Sequence, residues 1–583
     1  MTTATERIAI VGAVSVPGEE PSTPAPEPTL RAVVVVPARD EEELVGRCLG
    51  ALARQRGVTR AEYEVIVVLD GCRDGTLARV RALGERERPL RLRTVVLRSP
   101  LGVGHARRSG MDLACERLLS VGRDDGLIAS TDADSVVAPD WLAVQLELAG
   151  RGAQAIGGRI DLWLEDGDQP AGEALREREL RAAERLRVVL ADALPDVASE
   201  HHQFSGASLA LTAATYRRCG GLPVRAALED EALERELQAR GVAIHRSSDV
   251  RVRTSARTGG RAPRGLAQDL ARSSWRARRS YRAAQFPLQR LLAEKDATIA
   301  LVLPAREVAA TIVPIARCAA RLLDAGLLDE VLVVDADSRD GSARLAAAEG
   351  VTVAQENELS LELGPARGKG DAMWRATRAL DSEIVAFVDT DTEGFGEHFV
   401  TGLLGPLVCE PDVRLVKGRF RRPFRSQGGL APHGGGRVTE LMARPLLNMH
   451  APELAAFDQP LAGETAARRE LLERIPFSAG YGVEIAMLID AWRIAGLDGL
   501  AQVDLGVRQN RHQSLRELSA MAYAVLVAAQ ARFLGAEFAD AHAGGSIALP
   551  SIDDGGTMES RRVSVEERPP LAEVVALDER LSA

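Results

Sequence analysis

No two of the six cysteines stand as Cys-x-x-Cys; Cys48, Cys72, Cys115, Cys219, Cys318 and Cys409 are scattered through 583 residues. That spacing argues against a thiolate zinc site or a disulfide framework and for reduced, packed thiols. Long apolar runs are missing too. No stretch approaches the ~20 residues that a membrane-spanning helix needs. The longest uncharged helical candidate, between Glu517 and Arg532, reads as a buried helix. A basic excess is absent: the net charge of −10 argues against a general nucleic-acid partner. MTTATERIAI has an early Glu and no basic stretch ahead of a long apolar one, so no signal peptide is expected. These absences predict a cytoplasmic protein with no transmembrane segment and no nucleic-acid partner.

What is present is apolar residue, 46% of the chain, enough for large buried cores. At about 100–200 residues per domain, the length predicts two to four domains. Residues 1–30, rich in Pro and Glu, and the Gly-, Pro- and acid-rich tail 541–583 are expected to be disordered.

The chain repeats itself. RAVVVVPARDEEE (31–43) is echoed by TIALVLPAREVAA (298–310), and YEVIVVLDGCRDGT (63–76) by DEVLVVDADSRDGS (329–342). Pro304 lies 267 residues after Pro37, Asp340 266 after Asp74, and Asp391 257 after Asp134. Three ordered matches at near-constant spacing mean two copies of one domain, expected at 31–256 and 296–540. Each copy alternates Val/Ile/Leu runs with helix-like segments, the pattern of a mainly parallel sheet in an α/β layer. Ligands of such sheets bind beyond the carboxyl ends of the strands. The segment between the copies, 257–295, contains SSWRARRSYRAAQF and is expected to be a basic helical linker. It reads as a solvated helix that closes the first domain, with an anionic surface as the alternative partner.

At one such end, GLIASTDADS (126–135) closes on Asp132 and Asp134; at the other, IVAFVDTDTE (384–393) closes on Asp389 and Asp391. Carboxylates two apart at a strand end point the same way. Such a pair suits Mg²⁺ or Mn²⁺, which takes one or two protein carboxylates and fills its shell with phosphate and water. The ion neutralises a diphosphate and makes it a good leaving group. A lone pair is an acidic turn; recurrence at the same place in both copies points to function.

VVVVPARDEEE, VVLDGCRDGT and STDADS together resemble the nucleotide-sugar half of family 2 glycosyltransferases, over about 33–255. The resemblance implies two tandem GT-A, Rossmann-like nucleotide-sugar-binding domains. It implies donor contacts at Pro37, Ala38, Asp40, Glu41, Asp70 (in the uridine pocket) and Asp132. The metal pair would be Asp132 and Asp134. FSGASLALT (204–212) and LEDEALERELQARG (228–241) are in pattern, and Asp230, with Glu229 beside it, is implied as the general base. Their alternative is a pair of helix N-terminal acids favoured by the helix dipole.

The second copy resembles bacterial glucosyl-3-phosphoglycerate synthases, over about 298–535. GPARGKGDAMWRA (364–376), VDTDT (388–392), LVKGRFRRPF (415–424), GGGRVTELMARPLL (434–447), QPLAGE (459–464), PFSAGYGVEIAMLID (476–490) and QVDLGVRQNRHQ (502–513) carry the likeness. It implies retaining transfer of glucose from UDP-glucose to 3-phosphoglycerate with Mg²⁺, commonly in a homodimer. Donor contacts would come from Pro304, Ala305, Glu307, Asp335, Lys369, Asp389, Tyr481, Gly482 and Arg508, and metal ligation from Asp389 and Asp391. Asp391 and Glu484 are the catalytic candidates, Glu484 as a positioning group and not a nucleophile. GGGRVTE reads as a Gly-rich turn opening a helix, where exposed N–H groups favour an anion. Gly436, Arg437, Val438 and Thr439 are the acceptor candidates there, joined by Lys417, Arg421, Arg422 and Arg425, because an acceptor with phosphate and carboxylate needs positive charge.

Two departures stand out. The nucleotide loop is PAREVAA, which keeps Glu307 and loses the acids after it. The histidine ligand that the resemblance implies after GVR falls on Asn510, with His512 two residues on and on the same face of a strand; both stay open. Two rival classes remain. VDTDT also fits the DxDxT nucleophile of haloacid-dehalogenase-like phosphatases, although that motif normally ends its domain's first strand. Alternatively, one copy is a degenerate binding or scaffold domain.

Overall fold

The computed structural model of the chain describes residues 9–11, 25–86, 90–163, 173–174, 176–181, 183–184, 201–225, 227–260, 265–422, 424–426, 429–431, 436–508, 514–550 and 557–574. It divides into two compact units, Met1–Ser274 and Trp275–Ala583.

In the first unit the sheet runs through Leu92–Leu97, Tyr63–Asp70, Ala32–Ala38, Leu127–Ser130, Leu209–Thr212, Ala155–Leu162 and Ile244–Thr254. In the second it runs through Thr352–Gln355, Glu330–Asp335, Ile299–Ala305, Ile384–Phe387, Thr465–Arg468, Leu415–Arg421 and Leu500–Val507. The two orders are the same, strand for strand. In each, one strand (Leu209–Thr212, Thr465–Arg468) lies antiparallel to both neighbours, so the sheets are mixed and not uniformly parallel.

Continuous apolar runs are needed because both faces of the sheet are covered. Side chains alternate across a strand. Val33 and Val35 therefore pack with Ala106, Met111 and Leu118 of the helix Val103–Ser120, and Val34 and Val36 with Leu49 and Leu52 of Val45–Ala53. Each such side chain contributes roughly 1.5–3 kcal/mol on burial.

The repeat extends to single bonds. Asp40 and Glu307 both sit in the left-handed backbone region, at φ 49° and 52°. Asp40 accepts from the Arg73 N–H at 2.6 Å, and Glu307 from the Arg339 N–H at 2.9 Å. Glu41 N–H donates to the Thr76 hydroxyl at 2.7 Å, and Val308 N–H to the Ser342 hydroxyl at 2.9 Å. The loop PAREVAA has lost acids and kept its shape, because the retained Glu307 still accepts and the replaced positions still donate their backbone N–H groups to Ser342 and Asp340.

Two expectations about boundaries fail. The segment 257–295 does not stand apart as a linker: residues up to Ser274 belong to the first unit and those from Trp275 to the second. The helix Leu266–Arg279 carries the chain into it, and Ser280–Arg282 adds a parallel strand beside Leu500–Val507. Trp275 is fully buried, 4.5 Å from the Phe457 ring, and its indole N–H donates to the Leu500 carbonyl at 2.8 Å. The helix is amphipathic: Arg276 and Arg278 face acids Asp458 and Asp498 while the tryptophan goes inward. The tail is also built into the fold. Ser546–Pro550 and Met558–Arg562 form a hairpin, and Glu567–Arg568 pairs with Phe477–Ser478. Its polar composition hid two buried anchors, Arg568 and Leu571. At the other end Ala9–Val11 pairs with Leu92–Leu97, and Leu30 is buried.

Among the described residues one helix, Leu515–Leu534, is long and apolar enough by length and composition to cross a membrane. It is closed by a Ser514/Glu517 capping box, and Arg532 near its end pairs with Asp490 at 2.6 Å. All six cysteines are free thiols.

Candidate active site

In the second unit three chain segments meet at the carboxyl end of Ile384–Phe387. Lys369, the first residue of the helix Lys369–Ala379, donates to Asp389 Oδ1 at 2.6 Å and to Glu484 Oε1 at 2.7 Å. Glu484 opens the helix Val483–Ala495. Arg508, just past Leu500–Val507, bridges Asp389 Oδ2 at 2.9 Å and Asp391 Oδ1 at 2.8 Å, and its other arm donates to Glu464 Oε2 at 2.9 Å. Burial opposes ionisation of Asp389, yet Lys369 and Arg508 together hold its carboxyl well below the usual range. Glu464 is pushed up by burial, against the pull of Arg508. The loop is held from behind, Thr390 donating to the Pro304 carbonyl and Thr311 to the Thr390 carbonyl, both at 2.6 Å. Gly463 is required because any Cβ there would strike the Asp389 carboxylate.

The first unit repeats the arrangement with arginines. Arg107 donates to Asp132 Oδ1 at 2.9 Å, Glu229 Oε1 at 3.2 Å, the Ser130 hydroxyl at 2.6 Å and the Gly206 carbonyl at 2.9 Å. Arg257, past Ile244–Thr254, pairs with Asp134 at 2.9 Å and with Glu41 at 2.8 Å. Burial, with Asp132 adding to it, pushes the Asp134 carboxyl up to about 6. Lys369 and Arg107 thus make the same pairings: the first acid of the strand-end pair, and an acid that opens a later helix.

Oxygen donors of this kind suit a hard divalent ion. Asp391 fits best: its side chain is 52% exposed, with one oxygen on Arg508. Asn510 and His512 lie outside the described residues. Asp40, Cys72 and Asp74 also gather closely enough for a cation. There, however, the carboxylates already accept from backbone N–H groups of residues 73, 42 and 76.

The model of glycosyl transferase family 2 matches residues 33–196. A glucosyl-3-phosphoglycerate synthase from Mycolicibacterium smegmatis is 41% identical over 279 residues, 48% of this chain and 90% of that protein. The chain belongs to the glucosyl-3-phosphoglycerate synthase family. It is a glycosyltransferase, and the mixed α/β fold of its first unit is GT-A-like. Among solved structures, the mannosyl-3-phosphoglycerate synthase from Rubrobacter xylanophilus is 43% identical, with a TM-score of 0.47 over 52% of this chain and 99% of that one. The glucosyl-3-phosphoglycerate synthase from Mycobacterium tuberculosis, solved with Mn²⁺, UDP and glucosyl-3-phosphoglycerate, is 38% identical at a TM-score of 0.44, covering 49% and 95%. The same enzyme was solved with Mg²⁺ and UDP.

The synthase-like positions fall into groups. Lys369, Asp389, Asp391, Glu484 and Arg508 come together. Gly482 precedes the Glu484 helix, where a Cβ would lie 2.6 Å from that of Ala528, and Tyr481 is 51% exposed. Pro37, Ala38, Pro304 and Ala305 end their strands beneath the acid pairs. Asp70 and Asp335 differ. Both Asp70 oxygens accept backbone N–H groups, from Leu101 at 2.7 Å and Gly102 at 2.9 Å. Asp335 accepts from Ser338 N–H with one oxygen, and its other oxygen is buried with no partner among the described residues. Asp230 is half-buried and accepts from Gly206 N–H at 3.1 Å; the acid that meets Arg107 is Glu229, lifted by burial.

The acceptor candidates separate. Lys417 lies inside a central strand, not in the basic loop, and donates to the Ala462 carbonyl at 2.6 Å. Burial pushes its ammonium down to about 8. Arg421 is exposed at the strand end and Arg422 stands over the Phe420 ring, 4.8 Å from its centroid. The Arg425 side chain lies outside what the structure describes. Gly436, at φ 76°, precedes Arg437 and Val438 and the π-turn Thr439–Ala443, with Val438 and Thr439 buried.

Arg107, Arg257 and Glu464 were not assigned from sequence. No local signal marks them; the scarce residue type is lysine, with Lys295, Lys369 and Lys417 among 73 basic residues. Two of the three are at this site, where a compact ammonium fits and a guanidinium is bulkier.

Proposed function

We propose that the second unit transfers glucose from UDP-glucose to 3-phosphoglycerate with retention, giving glucosyl-3-phosphoglycerate. The observation that carries this is the ion-pair network of Lys369, Asp389, Glu484, Arg508 and Asp391 at one strand end. The activities of the relatives and the motifs of the second copy support it. Asp389 and Asp391 would hold Mg²⁺ or Mn²⁺, which neutralises the diphosphate when bound. Lys369 adds fixed positive charge for the same group. Glu484, tied to Lys369, is not placed as a free nucleophile and orients sugar or acceptor hydroxyls. The leaving diphosphate takes the acceptor proton. Gly436–Thr439, Arg421 and Arg422 would hold the acceptor's anionic groups. The shared strand order supports reading the units as tandem GT-A domains, and a homodimer is expected by light scattering.

For the first unit two readings stand: a second transferase of unknown acceptor, with Asp132, Asp134 and Asp230, or a degenerate scaffold. Its family 2 match favours the first. Asp70, with both oxygens already satisfied, favours the second.

The test uses the full chain with UDP-glucose, Mg²⁺ and 3-phosphoglycerate, reading product mass and UDP release. Loss of product in Asp391→Ala and its persistence in Asp134→Ala would support the assignment. The reverse would place the transfer in the first unit.

A further inference from the structure

The C-terminal segment around Arg568 reaches two of the pieces that carry the site. Glu567–Arg568 lies antiparallel to Phe477–Ser478, with Phe477 opposite Arg568. The next residue, Ala479, donates its N–H to the Glu566 carbonyl at 2.8 Å and accepts from the Asp371 N–H at 3.2 Å. From the same strand, Arg568 grips Asp371 with two parallel bonds, Nε to Oδ1 at 2.7 Å and Nη2 to Oδ2 at 2.8 Å. Asp371 is fully buried and stands two residues after Lys369 in the helix that Lys369 opens. It also accepts from Arg367 N–H at 2.9 Å and Arg375 Nε at 3.2 Å, so it ties the GPARGKG loop to the helix. Trp374, one turn on, donates to the Pro569 carbonyl at 2.8 Å. Gly480 leaves no room: a Cβ would lie 2.6 Å from the Ser564 carbonyl.

One short segment therefore holds the helix bearing Lys369 and the strand and turn leading to Glu484. A two-point arginine–carboxylate grip fixes direction as well as distance, and misplacement by about 1 Å at a reacting site can lower a rate about 100-fold. We propose that residues 564–569 form a strap that sets Lys369 against Glu484, with Arg568 as a positioning residue acting through Asp371. The proposal rests on reading the second unit as the transfer site.

The experiment compares full-length wild type, Arg568→Gln and Arg568→Lys, the last keeping the charge and the fold while losing the fork. Steady-state rates are read per folded molecule, with UDP-glucose and 3-phosphoglycerate varied separately. Amide hydrogen exchange is followed over 369–379 and 477–486. Arg568→Gln is expected to lower kcat about 10- to 100-fold with the KM for 3-phosphoglycerate within about twofold, and Arg568→Lys to recover part of it. Exchange in the two segments should quicken while the strands Ile299–Ala305 and Glu330–Asp335 keep their protection. A lowered melting temperature with unchanged kcat, KM and local exchange would make the segment a stabilising strand only and overturn the proposal. If wild type yields no product from this substrate pair, the functional reading falls, and the exchange comparison still decides whether the strap positions the site.

Discussion

Lys369 and Arg107 hold equivalent acids in the two units, yet they hold them differently. Lys369 reaches two carboxylates through three freely rotating hydrogens and is 23% exposed; Arg107 spends its rigid fork on two carboxylates, a hydroxyl and a carbonyl and is 3% exposed. A group with that many fixed partners is a structural tie. A lysine between two acids, close to solvent, can exchange a protein partner for a phosphate oxygen. The same chain topology thus carries one cation close to solvent between two acids and one committed to four protein partners.

The largest expected effect sharpens that contrast. Lys369→Met in the full chain should lower turnover roughly 10²–10³-fold with little change in melting temperature. Arg107→Met should do the opposite, leaving Asp132 and Glu229 unpaired and destabilising the first unit by roughly 3–5 kcal/mol. Steady-state kinetics beside thermal unfolding checks both; equal loss of turnover in both variants would erase the distinction.

Lys417 has no counterpart named in the first unit and gives the next effect, measured without metal or nucleotide. Its folded pKa of about 8 lies below the ordinary 10.5. The unfolded chain therefore binds the extra proton between those values, so wild-type stability rises with pH from about 8 to 10.5. Below pH 8 the buried charge costs about 3 kcal/mol. Lys417→Met should be more stable by up to that amount at pH 7, and the gap should close above pH 10.5 in denaturant titrations. A gap independent of pH would mean that the ammonium is not the cause.

The smallest effect concerns the nucleotide. Asp335 has a buried oxygen without a partner among the described residues, whereas both Asp70 oxygens accept backbone N–H groups. Calorimetry should find one UDP per chain, weakened about tenfold by Asp335→Asn and unchanged by Asp134→Ala. Two equal sites per chain would show that the first unit is open as well.

Much of this was legible in the residues. Alternating apolar runs and turn motifs repeated at near-constant spacing mark two sheets and the strand ends that carry the acid pairs, because strand burial and loop bonding are local. The paired motifs PARD/DGCRD and PARE/DADSRD are visible for the same reason: their bonds join segments that repeat together. The partners of the acid pairs were less visible. Arg257 lies 123 residues beyond Asp134 and Arg508 117 beyond Asp391. Nothing local in VRVRTSART distinguishes a site arginine from a surface one. Sequence points to Asp230 in the ED pair; that helix phase turns Glu229 to Arg107 and leaves Asp230 on the Gly206 N–H is decided by the fold. KGRFRRPFR (417–425) looked like one basic cluster until the strand carried Lys417 into the interior.

By itself the sequence determined that there are two similar α/β units and that carboxylate pairs stand at strand ends in both. Only tertiary structure decided which cation meets which acid, that Trp275 belongs to the second core, and that the polar tail returns to grip Asp371. The physical reason is the range of each effect. Periodicity and turn chemistry act over a few residues, whereas a buried ion pair exists only where distant segments exclude water together.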